Sequence, residues 1–443
     1  MAQSGIPDVL DPGAAVQFAI QNNPMLAAFR QQRGFAQGAV VMARTYPYNP
    51  IAQLNFLGAT GNGVTNSFVQ AHKITLDVEL FGQRRFRQEA AYAALTRTEW
   101  DIATQELLVA VATNRAYNSV LYRERKLHVL EDTIKLNELM VEQVKKLVDL
   151  GRLRPADLVV SLTELDAASA QLGQGKAALA VARADLRRQF GTFDDTFAVK
   201  GDLDIPVSTT EFKLYAEAAL EKRPDLQARK MAATEAQARL RLQEADRYGN
   251  PNFGPIYEIN ETRNNFYGLQ IGGPLPAFNR KTGEIIQAQA TLARALAEVK
   301  QFEIQSGQDV QAALARLAAA RKWADSYTAE VLPNLKKATQ DMTKLLEQND
   351  PGVDVIKVIG VQRNYLRAFD AYLDALFEVS QARADLAAAV GDPAIALGLY
   401  APREGPGDRL PSPKPLPLPK PLGAGPAMMP PLKVTVAPLK DKP

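Results

Sequence analysis

Helical spacing of apolar residues runs through 84–150 with no proline and no glycine, which at about 1.5 Å per residue is close to 100 Å of helix. Within it Leu127, Leu130, Ile134, Val141, Val144 and Val148 keep heptad steps, with Asn137 interrupting. Leu136, Met140, Leu147 and Leu150 form a second seam on another face, so this helix needs two neighbours. A later stretch returns to the heptad with Leu314, Leu317, Ala324, Val331, Leu335, Ala338, Met342 and Leu345. Pro333 predicts a break or kink there near Leu332, because it removes a donor and clashes with the preceding turn. Shorter helices are predicted over 13–44 and 211–247, ended by the turn residues Tyr48-Asn49-Pro50 and Tyr248-Gly249-Asn250-Pro251.

After each of these the period drops to two. Ala52, Leu54 and Phe56 alternate with Gln53 and Asn55, a glycine-rich tip runs from Gly58 to Gly63, and Ile74, Leu76, Val78 and Leu80 return against Thr75, Asp77 and Glu79. A weaker hairpin follows in the second half, with Tyr257 and Ile259 outward and Tyr267, Leu269 and Ile271 back. The long helices turn over at Gly151-Arg152-Leu153-Arg154-Pro155 and at Gln348-Asn349-Asp350-Pro351-Gly352.

The plan is written twice. Ala182-Arg183-Ala184-Asp185-Leu186, closed by Gly191, returns as Ala382-Arg383-Ala384-Asp385-Leu386, closed by Gly391, and Asn23-Pro24-Met25-Leu26 is answered by Arg223-Pro224-Asp225-Leu226. A period of 200 residues excludes a short-repeat solenoid and predicts one architecture built from two similar halves. The expected organisation is a first repeat over 1–191, a polar connector over 192–210, a second repeat over 211–392 and a tail over 393–443. From Ala401 onward that tail holds 13 of the 28 prolines, which predicts an extended, polyproline-like segment.

Composition narrows the function further. The 52 basic and 49 acidic residues are interspersed, so the net charge of +3 points to no nucleic acid. Without cysteine there is no disulfide, thiolate nucleophile or Cys-type zinc site, and no lipid-bearing N-terminal cysteine. Residues 1–10 lack a positive n-region and an apolar core, so no secretory signal is read there. No run reaches the roughly 18 apolar residues of a spanning helix, so a membrane role would need strands. The Gly58 to Gly63 loop lacks the Lys-Ser/Thr of a P-loop and sits between strands, which favours a hairpin tip over a phosphate cradle. Two histidines, His72 and His128, with no cysteine and no serine in a nucleophile elbow leave a triad or zinc hydrolase without its parts. No enzyme activity, cofactor or metal is expected.

Helices with two apolar seams are satisfied side by side in a closed ring, their third face lining a lumen. Four short strands cannot close a barrel with an interior, and lipid does not tolerate open edges, so several chains must contribute. Three copies bring twelve strands, within the range of outer-membrane barrels. The fold class expected is therefore mainly α with a transmembrane β-barrel: two internal repeats give four strands and long coiled-coil-like helices per chain, in a trimeric α/β barrel.

At this point the chain resembles the TolC family of outer-membrane efflux proteins over about 11–392. The resemblance rests on the duplicated Asn-Pro-x-Leu and Arg-Pro-Asp-Leu openings, on Leu80-Phe81-Gly82-Gln83-Arg84-Arg85 leading from strand to helix, and on Pro274-Leu275-Pro276-Ala277-Phe278-Asn279-Arg280 doing so again. The last looks most like members serving heavy-metal or drug exporters of the resistance-nodulation-division type. The family implies a homotrimer with a twelve-stranded barrel in the outer membrane and a twelve-helix tunnel across the periplasm, docked on a periplasmic adaptor (membrane fusion protein) and an inner-membrane pump. It implies a passive exit duct in the outer membrane of a Gram-negative-type bacterium, with Leu54, Phe56, Ile74, Leu76, Val78 and Leu80 facing lipid. A conduit for type I protein secretion and a soluble periplasmic coiled-coil scaffold or adaptor are the rival readings.

In that family aspartates, an arginine and a tyrosine near the second hairpin tie the tips shut. Here Asp354 matches an aspartate, Asn349 and Asp350 stand where the arginine would be, and the tyrosine is missing. Asp350 or Asp354 paired with Lys357, Arg152 or Arg154 would form the gate; an ordinary solvated helix end is the other reading. Leu150, Gly151, Leu153, Leu158, Gly352, Val353 and Val355 at the same tips offer small and apolar contacts for the adaptor, or for packing between the helices of one hairpin.

Overall fold

Proline decides how each half begins. After the short strand Val9–Leu10 (β1), helix Pro12–Asn22 (α1) stops because Pro24 forces Asn23 out of the helical region, to ψ 118°. The Asn23 side chain then accepts the Leu26 amide at 3.0 Å and caps Pro24–Arg30 (α2), which Gln32–Arg44 (α3) continues. The expected single helix over 13–44 is thus three. The structure, a computed structural model, describes residues 6–64, 68–204, 212–274, 278–348 and 352–398. Most of the proline-rich tail lies outside those residues.

The first half continues with strands Ile51–Gly58 (β2) and Phe68–Asp77 (β3), then the unbroken 67-residue helix Gln83–Asp149 (α4). Gly151, at φ 69°, turns the chain into Pro155–Phe190 (α5), which ends on Gly191 at φ 67°. A connector strand, Ala198–Val199 (β4), pairs in parallel with β1. The Tyr117 hydroxyl lies 2.9 and 2.7 Å from the Leu10 and Lys200 carbonyl oxygens and ties both strands to α4. In the second half Pro224 splits the predicted 211–247 helix into Phe212–Lys222 (α6) and Pro224–Asp246 (α7), with Arg223 extended between them. Strands Asn252–Ile259 (β5) and Asn265–Gly272 (β6) follow, then Thr282–Ser326 (α8).

Pro333 does not break the next helix. A π-helical turn, Tyr327–Val331, widens the ladder so that the Leu332 amide bonds the Tyr327 carbonyl, and Leu332–Glu347 (α9) continues with the proline in its first turn. Val355–Val390 (α10) and the short Pro393–Ala396 (α11) complete the described chain. The core sits where both halves meet: Leu10, Tyr117, Val120, Leu186, Phe190 and Phe197 of the first half join Val310, Leu373, Val379, Leu386 and Val390 of the second. Helix α4 packs not on two neighbours but on α1, α3 and α5 of the first half and α7 and α10 of the second.

The two duplicated motifs touch each other. A Cβ on Gly191 would stand 2.4 Å from Pro24 Cδ, and one on Gly391 would stand 2.8 Å from Arg223 Cα. Each half is closed by its last glycine against its duplicated opening, Asn23-Pro24 or Arg223-Pro224, and a side chain at either glycine would push them apart.

Candidate functional site

The four long strands form one antiparallel sheet in the order β2-β3-β5-β6, so β3 and β5 join the halves, and among the described residues the outer edges of β2 and β6 are unpaired within the chain. Register assigns the faces: Leu54 opposes His72, Leu76 opposes Phe253, His72 opposes Tyr257, and Phe253, Pro255 and Tyr257 oppose Ile271, Leu269 and Tyr267. With side chains alternating, one face carries Leu54, Phe56, Ile74, Leu76 and Phe253 together with Pro255, Tyr257, Tyr267, Leu269 and Ile271. Tyr267, Leu269 and Ile271 are 79%, 82% and 72% exposed. The other face carries Gln53, Asn55, Lys73, Thr75, Asp77, Glu258 and Gln270, with Ile51, Leu57, Val69 and Phe266 as apolar exceptions toward strand ends and Ile256 as one in mid-strand. Strand β3 ends at Asp77, short of Val78 and Leu80. Val78 still donates to the Pro251 carbonyl at 2.8 Å, but Leu80 lies in the turn into α4, because the chain must leave the sheet to reach Gly82. His72 sits mid-face against Phe56 and Tyr257, at 5.3 and 6.1 Å between ring centres.

At the foot of the sheet Gly82, at φ 81°, turns strand into helix. Gln83 is fully buried; its side chain accepts the Phe81 amide at 2.9 Å and donates to Asn250 at 2.9 Å, and Asn250 donates to the Tyr48 hydroxyl at 2.7 Å. Arg87 grips the buried Glu79 carboxylate with two bonds of 2.7 and 2.9 Å. The bond to Glu79 holds the Arg87 guanidinium above its ordinary pKa against the opposing effect of burial.

Farther along the helices, charge ties α4 of the first half to α10 of the second and ties α7, α8 and α10 to one another within the second half. Arg115 of α4 and Arg316 of α8 both hold Asp385 of α10, and Arg316 reaches Glu378 at 2.8 Å. Arg223 binds Asp225 and Asp309 at 2.9 and 2.7 Å, and these groups line a cavity of about 480 Å³ between α4, α8 and α10. Lys126 joins α4 to Asp370 and Asp374 of α10 at 3.2 and 2.8 Å. Burial opposes its charge, but the bonds to Asp374 and Tyr122 outweigh it and raise its pKa. Asp385 and the pair Arg223 and Asp225 stood in the duplicated motifs, but their partners gave no sequence signal, since groups 69, 86 and 270 residues apart leave no local pattern.

At the helix tips Leu150 and Gly151 are exposed, Leu153 and Leu158 half-buried, and the Arg154 amide is capped by Asp157 at 3.0 Å. On the second tip Gly352 is exposed, Val353 and Val355 are half-buried, and Asp354 begins α10. The Lys357 ammonium donates to the Gly352 carbonyl at 2.8 Å, folding back on its own tip; it is the Lys357 backbone amide that meets Asp354, at its carbonyl oxygen 3.0 Å away. Among the described residues the structure brings together none of the expected pairs of Asp354, Lys357, Arg152 and Arg154 within one chain; Asp350 lies outside those residues. His128 is exposed, 3.6 Å from Glu131, and among the described residues no group of three or more acidic or histidine side chains is arranged for a metal. No helix among them is long and apolar enough to cross a membrane.

No protein-family model matches this sequence, and no curated protein matches it by sequence. Solved structures do. A membrane protein from Pseudomonas aeruginosa superposes with a TM-score of 0.71 at 16% identity, covering 86% of this chain and 92% of that one. CusC, described with transmembrane channel formation, gives 0.70 at 16% identity over 86% and 92%. The open-state outer-membrane channel MtrE of Neisseria gonorrhoeae gives 0.67 at 18% identity over 90% and 94%. The chain has the fold of outer-membrane channel proteins, which is the fold that the resemblance to the TolC family implied.

Proposed function

We propose that this chain is the outer-membrane channel of an efflux system, a passive exit duct that assembles as a homotrimer and receives cargo from an inner-membrane pump through a periplasmic adaptor. The observation that carries this reading is the sheet: four antiparallel strands, apolar on one face, polar on the other, with both outer edges open. Such a sheet is unstable alone in water or in lipid. Closing it β6 to β2 with sister copies keeps every neighbour antiparallel and turns the apolar face outward. At the roughly 40° tilt of outer-membrane barrel strands, the 8 residues of β2 span about 20 Å of height and the 10 of β3 about 25 Å, which is near the height of the apolar band of such barrels. The likeness in fold to CusC and MtrE supports the same reading.

A soluble scaffold would have to bury Tyr267, Leu269 and Ile271, and among the described residues nothing covers them. The tip residues Leu150, Gly151, Leu153, Leu158, Gly352, Val353 and Val355 are the proposed adaptor contacts, and Asp354 with Lys357, Arg152 and Arg154 the proposed gate, pairing between copies. The purified protein should be a detergent-dependent trimer that forms conducting pores in planar bilayers. A monodisperse monomer in plain buffer would remove the reading.

A further inference from the structure

The two halves meet along a seam whose counterpart is bare. In the seam that exists, α7 of the second half lies on α4 of the first, and Arg97 reaches Glu235 across it at 2.7 Å, with Arg239 completing the contact. Glu235 is buried there. Landmarks identify the residues at the same places in the other half. Pro24 and Pro224 start α2 and α7, so Phe35 stands 11 residues past its proline as Glu235 does past its own. The left-handed residues Gly82 and Lys281 precede the first residues of α4 and α8, so Leu296 stands 15 residues past its landmark as Arg97 does past its own.

Both counterparts are apolar and both are bare: Phe35 is 81% exposed and Leu296 is 55% exposed. Met42, two turns beyond Phe35, is 70% exposed, and Gly38 between them has open space around it. An amphipathic helix face of this kind is stable only when another surface covers it. The chain already shows which surface: the face of a long helix at the same height, taken from the next half.

We propose that α3 of one copy packs on α8 of the next, with Phe35 and Leu296 in the places that Glu235 and Arg97 hold within a chain. This rests on the reading that copies share one ring. The seam between copies is then apolar where the seam within a copy is ionic, and ring closure depends on burying Phe35 while the internal seam depends on a buried charge pair.

The chain has no cysteine, so introduced thiols report cleanly. Phe35→Cys combined with Leu296→Cys, purified from membranes in detergent and treated with oxidant or a short bismaleimide, should give dimers and trimers on denaturing gels. Either substitution alone should stay monomeric on those gels. Arg97→Cys with Glu235→Cys should give a shifted monomer without dimers. A particle that is trimeric by cryo-EM yet forms no linked copies in the Phe35→Cys, Leu296→Cys double variant overturns this seam and leaves the channel reading standing; a monomeric particle removes both. Phe35→Glu and Leu296→Arg, each alone, should lower the trimer fraction on the order of tenfold by burying a lone charge, and the double variant should restore it. Unchanged trimer in Phe35→Glu, or failure of the double variant to recover, also overturns the seam.

Discussion

Arg183 and Arg383 occupy the same place in the same five-residue segment, and their surroundings differ completely. Arg183 is half-buried, 3.1 Å from Glu124 and 3.3 Å from Asp195, with its guanidinium over the Phe197 ring. Arg383 is 3% exposed, and its Nε and Nη1 have no acceptor among the described residues. Two hundred residues beyond Glu124 and Asp195 stand Ala324 and Ile395, so the acids were not repeated. Burial alone lowers the Arg383 pKa to about 10. The comparison teaches that duplication preserved the backbone plan, with its prolines, glycines and helix lengths, while the charges diverged to suit each half's neighbours. The first half carries paired charge at that corner; the second carries an uncompensated cation in the shared core.

The largest expected effect breaks the sheet that joins the halves. A Cβ on Gly254 of β5 would lie 1.6 Å from the Ile74 carbonyl oxygen of β3, a backbone atom that has no room to yield. Gly254→Ala should cost several kcal/mol and abolish the folded trimer, whereas Gln53→Ala on the outer strand should shift stability by less than about 0.5 kcal/mol. Thermal unfolding followed by circular dichroism reads both.

Next comes the charge seam. Arg97→Ala leaves Glu235 buried with Arg239 alone and should cost about 3 kcal/mol, while Arg33→Ala, which breaks a partly exposed pair with Glu99, should cost about 1 kcal/mol or less. Equal losses in denaturant midpoint would erase the distinction between the buried pair and the exposed one.

Arg383→Met should go the other way and stabilise the fold by roughly 1–3 kcal/mol, because a well-packed apolar side chain replaces an unpaired buried charge. The pH dependence has a definite sign. A basic group whose folded pKa is lowered binds fewer protons folded than unfolded, so the natural chain gains stability as pH rises through about 10, and the advantage of Arg383→Met should shrink there. An advantage that stays constant from about pH 7 to about 10.5 would mean that Arg383 is not an uncompensated cation. Arg183→Met should instead cost about 1 kcal/mol.

The smallest change in stability is expected at the tips, where the readout is conductance. Asp354→Ala should leave the melting temperature unchanged within error and raise single-channel conductance if the carboxylate helps hold the tips closed between copies. Unchanged conductance in both Asp354→Ala and Asp350→Ala would leave these charges as ordinary helix ends.

Much of the fold is legible along the chain because it depends on neighbours a few residues apart. The 67-residue α4 follows from an uninterrupted run of helix formers, the hairpins from alternation and glycine, and the helix ends at Gly191 and Gly391 from a conformation that glycine adopts most easily. Three boundaries needed correction at a proline or a strand end, and the two neighbours expected of α4 became several. Pro24 and Pro224 each end a helix because the residue before a proline is driven extended, Pro333 is absorbed by a π-helical turn, and β3 stops before Leu80. The proposed gate was the least legible: its expected partners do not meet within one chain, and ion pairs across separate segments have no periodicity to read.

What the sequence by itself determined is the local conformation, the twofold repetition and the apolar alternation of the strands, since propensity, turn chemistry and side-chain period act over a turn or two of chain. What only the tertiary structure decided is which surfaces are left over. The lone Arg383 in the core, the buried Glu235 beside Arg97, and the bare Phe35 and Leu296 opposite them exist as features only after helices far apart in sequence have been laid together, because desolvation depends on every atom that surrounds a group and not on its place in the chain.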